Sequence, residues 1–228
     1  MSINMSLTDF PNLRLCIGGT FDPIHNGHLR LGAELGLLFP AAKLIFIPLA
    51  KPVHRQLPQI SQQHRLRMVK LALDGTKDME ASAIEINRAG ESYTIETLQQ
   101  LKVLSPDNIF CWVIGSDVFQ HLSKWHQVES LHKFCHMIVV SRAGYVSTNA
   151  DFSQATSYDF KVTHEFADLN SQKSGLLYHC SLPLLDISST RIRQLLLRDG
   201  GDINSVKWLI PEKIQQYIFN NQLYKSIE

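Results

Sequence analysis

The chain has 228 residues, of which 44% are hydrophobic and 19% charged, and its formal net charge is +1. This composition fits one ordinary globular core. It excludes a disordered chain, and it excludes the strongly basic face used for bulk binding to nucleic acid or an anionic membrane. No apolar run reaches the roughly 18 residues of a membrane span, and the first residues lack the basic start and apolar stretch of a secretion signal. Cys16, Cys111, Cys135 and Cys180 stand alone, with no C-x-x-C. Buried free thiols in the reducing cytoplasm are expected.

In chain order, residues 13–17 form a short apolar run stopped by Gly18 and Gly19, a buried strand. Residues 27–39 carry Leu29, Ala33, Gly36 and Leu37 at helical spacing. "KLIFIPL" (43–49) is a second strand, and "SQQHRLRMVKLAL" (61–73) a helix with a serine N-cap. Residues 79–86 alternate and predict a third strand. "YTIETLQQLKVL" (93–104) places Ile95, Leu98 and Leu101 on one helical face. "IFCWVIG" (109–115) and "HMIVVS" (136–141) are further strands, with a helical segment between them. Residues 144–175 are polar and turn-rich and predict a long loop or insert. Order returns at "LLYHCSLPLLDI" (176–187). A helix is expected from Ser189 to about Arg198, stopped by Gly200 and Gly201. The last helix begins at Pro211, with Ile214, Tyr217 and Ile218 inward.

Strands and helices thus alternate, and the strands are continuously apolar. This pattern predicts an α/β, Rossmann-like, doubly wound parallel sheet covered on both faces, with a small C-terminal helical subdomain. The expected organisation is a single domain over residues 1–228, with 180–228 as its C-terminal part.

The stretch "GGTFDPIHNGH" (18–28) lies at the first strand-to-helix turn. In open α/β sheets, ligands bind beyond the carboxyl ends of the strands. A helix start there offers unpaired N–H groups and partial positive charge to a phosphate, and glycines allow close approach. Neither G-x-x-x-x-G-K-S/T nor G-x-G-x-x-G is present. His25 and His28 stand where a lysine would be, three apart, so both rings face one side and can donate to phosphate oxygens. H-E-x-x-H is absent, and no metal ligation by the pair is expected.

"HNGH" (25–28) resembles the first signature of the nucleotidylyltransferase superfamily, H/T-x-G-H, and "ISSTRIR" (187–193) resembles its second, IS-x-T-x-x-R. Within that superfamily the chain is most similar to the bacterial nicotinate-nucleotide adenylyltransferases. The likeness runs through "PLAKPVHR", "ESYTIETL", "VIGSDVF", "KWHQVESL" and "VVSRAGY" and covers nearly the whole chain apart from 144–175.

The resemblance implies transfer of an adenylyl group from ATP to nicotinate mononucleotide, giving nicotinate adenine dinucleotide and pyrophosphate, with Mg2+ entering with ATP. The attacking phosphate already carries charge, so positioned donors suffice. Gly19, Thr20, Phe21, His28, Ser188, Ser189, Thr190 and Arg193 are the ATP-site candidates, and His25, His28 and Arg193 the catalytic ones. Thr20, Tyr93, Thr94, Asp117 and Trp125 are the mononucleotide candidates. Asp117 would accept ribose hydroxyls or cap a helix. Trp125 would stack on the pyridine or pack in the core. Ser188–Thr190 read alone as a plain N-cap. Lys51 and His54 either approach the phosphates or are solvated loop groups, and Arg142, after the fifth strand, is placed near the adenine or the phosphates. The alternatives are another phosphorylated acceptor, such as nicotinamide mononucleotide, or a nucleotide-binding module without turnover.

Overall fold

The computed structural model describes residues 12–51, 58–88, 90–142 and 156–225. Seven strands form one sheet: β1 (Leu13–Gly19), β2 (Lys43–Pro48), β3 (Met79–Ala81), β4 (Ile109–Gly115), β5 (His136–Arg142), β6 (Lys161–Thr163) and β7 (Leu176–Leu182). Their order is β3-β2-β1-β4-β5-β7-β6, and every pairing is parallel. This is the expected α/β sheet. Its central strands are apolar throughout because both faces are covered. Leu15 and Ile17 of β1 join one core with Phe46, Val113 and Val140, while Cys16 joins the other with Ile45, Trp112 and Val139.

The first core is roofed by α1 (Asn26–Leu38) and α2 (Gln62–Leu73). The second is covered by α3 (Ile84–Arg88), α4 (Thr94–Leu104), α5 (Ser116–Phe119) and two 3-10 turns before β5. The C-terminal helices α6 (Ser189–Arg198) and α7 (Glu212–Asn220) return to the first core, with Ile192, Leu196, Ile214 and Ile218 buried there. Tyr217 is half-buried, and its hydroxyl meets His64 Nδ1 at 2.9 Å. β1 has β2 on one side and β4 on the other. The strand order therefore reverses at β1, and the crevice opens beside Gly18, Gly19 and Gly115. No helix among the described residues is long and apolar enough to cross a membrane.

Two expectations are corrected. The strand over 79–86 is only the three-residue edge strand β3. Ser82 Oγ then accepts the Ile84 N–H at 3.3 Å, and the chain turns into α3, which buries Ile84 and Glu85. A capping hydroxyl ends a run whose apolar spacing suits either structure. The loop over 144–175 also holds β6 and a 3-10 turn (Phe166–Asn170), and it buries Phe160 and Leu169 completely or nearly so. Residues 144–155 lie outside the described residues. All four cysteines are free and buried, and burial pushes the thiol of Cys135 up to about 12.

His136 fastens β5 to β7. It is fully buried, and its Nδ1 accepts the Leu176 N–H at 3.0 Å. A neutral ring accepting at Nδ1 carries its proton on Nε2, which donates to the Gln172 carbonyl at 3.0 Å. Burial lowers its pKa from 6.5 to about 4. The unfolded chain therefore takes up this proton first as the pH falls. The stabilisation is complete above about pH 6.5 and is lost as pH falls through about 4. His136→Ala, which leaves the Leu176 N–H unpaired, should lose about 1–3 kcal/mol at pH 7. Its urea midpoint should also fall less steeply between pH 7 and 5 than that of the parent. Parallel slopes would remove His136 from the acid response.

Candidate active site

β1 ends at two glycines, and neither adopts a left-handed backbone. A Cβ on Gly18 would lie 2.8 Å from the Trp112 ring, and one on Gly19 would lie 2.9 Å from the Phe21 ring. The glycines admit two aromatic rings across the end of the strand. Phe21 itself has φ 47° and is nearly buried, with its ring edge-on to His28 at 4.9 Å.

The following residue, Asp22, is 3% exposed. Its Oδ1 accepts the Tyr224 hydroxyl at 2.6 Å and its Oδ2 accepts the Gln59 N–H at 3.0 Å. Arg193 Nη1 donates to the Asp22 carbonyl at 2.7 Å and lies 3.8 Å from Oδ2, while Nη2 donates to Thr190 Oγ1 at 3.3 Å. Burial, and next the Asp22 charge, push the Tyr224 pKa well above its usual value, so the hydroxyl stays a donor. The turn is further tied to α6 by Ser189 Oγ, which donates to the Pro23 carbonyl at 2.9 Å. Asn26 donates to the carbonyls of Leu209 and Trp208 ahead of α7, at 2.9 and 3.0 Å. The two sequence signatures are thus joined directly.

His25 and His28 face the same side, with rings stacked at 3.6 Å. His28 Nδ1 accepts the His25 N–H at 3.3 Å, which places the proton of the neutral His28 ring on Nε2. Burial lowers the His25 pKa to about 4. Burial, then the neighbouring His25, hold His28 well below its ordinary value. Both rings are neutral at pH 7, and each offers one N–H. Two buried polar atoms here have no protein partner, Thr20 Oγ1 and His25 Nδ1.

Two cavities meet at Gly18, Gly19, Leu31 and His28. The larger, about 700 Å³, is the cleft that holds Gly19, Thr20, Phe21, His25, His28, Asp117, Ser188, Ser189, Thr190 and Arg193. All the ATP-site and catalytic candidates therefore converge. Two of their roles are refined. Ser188 Oγ accepts the Arg191 N–H at 3.2 Å as the helix cap, which leaves its O–H to donate, while Ser189 Oγ donates its proton to the Pro23 carbonyl. Arg193 is held at the cleft wall by Asp22 rather than standing free.

The smaller cavity, about 250 Å³, is apolar and aromatic, with Tyr93, Thr94, Trp112, Trp125 and His126 in its wall. It receives three of the mononucleotide candidates. Thr20 and Asp117 lie instead in the larger cleft, with the Asp117 carboxylate folded back against Gly115 at the border. The helix start closes this cavity. Ser92 Oγ accepts the N–H groups of Ala50 and Lys51 at 2.9 and 3.3 Å. The first α4 bond runs from the Thr97 N–H to the Tyr93 carbonyl, leaving the N–H groups of Thr94, Ile95 and Glu96 ahead of it.

Arg142 lines the larger cleft and pairs with Asp186 at 2.8 Å. Lys51 meets Ser92 through its backbone and is exposed, and His54 lies outside the described residues. Sequence reasoning misses Asp22, Tyr224, Trp112 and His126. Trp112 has a signal in Gly18, a strand-end glycine with no turn to make. His126, whose ring tilts against Tyr93 at 4.5 Å, has none.

The cytidylyltransferase-like family model matches residues 16–195. A protein of Geobacter sp. (strain M21), named "Probable nicotinate-nucleotide adenylyltransferase", is 37% identical over 215 residues, which cover 91% of this chain and 96% of its own. One of the same name from Marinomonas sp. (strain MWYL1) is 36% identical over 214 residues, 92% of this chain and 93% of its own. Among solved structures, Plasmodium falciparum nicotinic acid mononucleotide adenylyltransferase complexed with NaAD superposes with a TM-score of 0.72 over 93% of this chain and 97% of that one. At 20% identity this is a likeness of fold. The chain belongs to the cytidylyltransferase-like family and, within it, to the nicotinate-nucleotide adenylyltransferases.

Proposed function

We propose that this chain transfers the adenylyl group of ATP to nicotinate mononucleotide, giving nicotinate adenine dinucleotide and pyrophosphate in NAD biosynthesis. One observation carries the reading. A donor-lined cleft and a small aromatic cavity meet at Gly18, Gly19 and His28, so two ligands held in them touch there. The Plasmodium fold neighbour is complexed with NaAD, a dinucleotide of that two-part shape.

In this reading a phosphate oxygen of the mononucleotide attacks the α-phosphorus of ATP. A P–O bond forms, the bond between the α-phosphorus and its bridging oxygen breaks, and pyrophosphate leaves with the electron pair. No proton has to be removed from the nucleophile, so the protein needs no base. Catalysis is placement in line, plus donors aimed where charge builds. His28 Nε2–H and His25 face the α-phosphoryl oxygens, and Thr20 Oγ1 completes them. The N–H groups at the start of α6 and the Arg193 guanidinium receive the leaving pyrophosphate. Trp125 stacks on the pyridine, Asp117 takes ribose hydroxyls, and the start of α4 receives the carboxylate.

Among the described residues no three His, Cys, Asp or Glu side chains group as metal ligands, and both Asp22 carboxylate oxygens already accept hydrogen bonds. This donor-rich cleft fits Mg2+ that arrives on the triphosphate, held by phosphate oxygens and water. Its chemistry there is neutralisation of phosphate charge. Small molecules are the partners in this reading. The four free thiols suit the cytoplasm, and a net charge of +1 offers nothing to nucleic acid.

His28→Ala should lower kcat by roughly 10²–10³, the loss of one preorganised donor. A variant with full kcat would take His28 out of the reaction. Arg193→Ala should raise the KM for ATP by roughly tenfold or more, since charge-assisted bonds contribute about 1.5–3 kcal/mol, with the mononucleotide KM little changed. The opposite pattern would reassign Arg193 to the acceptor. The reading itself is tested with both mononucleotides side by side. A carboxylate satisfies the N–H groups of Thr94, Ile95 and Glu96. A carboxamide turns an NH2 toward at least one of them and leaves it unpaired. The acid should therefore be favoured in kcat/KM by about ten- to a hundredfold. Parity or preference for the amide would overturn the acceptor assignment.

A further inference from the structure

Arg65 of α2 touches neither cavity, yet it is 1% exposed and among the largest fully buried side chains. Burial works against its charge, while the fields of Asp22, Tyr224 and Glu85 support it. A buried guanidinium is a costly filler for a helix face that an aliphatic side chain would fill without that cost. Its hydrogen bonds show what it does. Nη1 donates to the Thr20 carbonyl at 2.7 Å and Nη2 donates to the Ala50 carbonyl at 3.1 Å.

The first carbonyl is that of a residue lining the large cleft, and the second follows Leu49, which lines the small cavity. Thr20 is the phosphate-binding turn. Ala50 follows β2, and its N–H is bound by Ser92 Oγ at 2.9 Å, at the entrance to α4. A continuous chain therefore runs from Thr20 through Arg65 and Ala50 to Ser92, from the large cleft to the small cavity. A trans peptide points its C=O and N–H in opposite directions. Fixing the Thr20 carbonyl turns the Phe21 N–H away from Arg65. Fixing the Ala50 carbonyl aims the Lys51 N–H, which meets Ser92 Oγ at 3.3 Å. The planar fork holds the two acceptors from two nitrogens in one fixed geometry, whereas a lysine ammonium offers its donors from a single nitrogen on a flexible stem.

We propose that Arg65 is a positioning residue that couples the two substrate sites, so that occupation of one by the mononucleotide tightens the turn that receives the triphosphate in the other. This rests on the two-substrate reading above. The test is calorimetric titration of a non-hydrolysable ATP analogue into the full-length protein, with and without saturating nicotinate mononucleotide. In the parent, the mononucleotide should raise analogue affinity about five- to tenfold, within the usual span of such coupling. In Arg65→Lys that ratio should fall to about 1. Ser92→Ala, which cuts the chain at its other end and leaves Arg65 in place, should lower the ratio as well and decides the matter if Arg65→Lys does not fold. A merely structural arginine would weaken both bindings and leave the ratio unchanged. A parent ratio of 1, or a ratio retained in a folded Arg65→Lys or, failing that, in Ser92→Ala, would overturn the proposal. Dinucleotide formation by the parent protein distinguishes the two levels. Product with an unchanged ratio removes only the coupling, and absence of product removes the two-substrate reading and the coupling with it.

Discussion

Asp22 is a carboxylate with almost no exposure, placed in the bend between β1 and α1. A buried carboxylate is costly unless donors surround it. Here two donors reach the carboxylate, the Gln59 N–H ahead of α2 and the Tyr224 hydroxyl beyond α7, while Arg193 of α6 donates to the Asp22 backbone carbonyl and lies 3.8 Å from Oδ2. None is local, so distant parts of the chain hold the bend in place. One wall of the large cleft is built on that bend. Thr20 and His25 flank it, and His28 is oriented by the His25 N–H. The C-terminal segment is thereby part of the site without entering it.

The same constraint settles the character of the chemistry. Two imidazoles stacked at 3.6 Å in a buried turn cannot both be charged, and burial keeps them neutral. They are poor sources of positive charge and good fixed donors, with the His28 proton held on Nε2. Such a pair suits a reaction whose nucleophile arrives already ionised. The parallel sheet supplies the rest: its strand order reverses at β1, so the carboxyl ends of β1 and β4 open one crevice. The rings of Trp112 and Trp125 then make one end of that crevice apolar.

Much of this can be read from the residues. Apolar runs in β1, β2, β4 and β5, the serine cap of α2 and the turn glycines carry the doubly wound sheet, and the stretch 18–28 with the second signature names most of the residues lining the large cleft. What escapes depends on contacts across the chain. β3 and α3 share one apolar spacing, and a single Ser82 hydroxyl decides where strand becomes helix. β6 is three residues long, below any periodicity. Ser188 also caps α6 and Ser189 also holds the Pro23 carbonyl, the second a contact across the chain. Arg65, Tyr224 and Trp112 belong to no motif. Only the folded chain shows Arg65 bonded to the Thr20 and Ala50 carbonyls, Tyr224 bonded to Asp22 and the Trp112 ring against Gly18.

In direct transfer as proposed above, His25 and His28 donate hydrogen bonds and form no bond to phosphorus. The most direct test is the stereochemistry at the α-phosphorus. ATP carrying sulfur in place of one α-oxygen, in a single configuration, is turned over with nicotinate mononucleotide, and the configuration of the product dinucleotide is read by phosphorus NMR. One in-line displacement inverts the centre, and that is the predicted result. Retention would mean two displacements through a covalent adenylyl-enzyme, with a histidine as nucleophile, and would contradict the account.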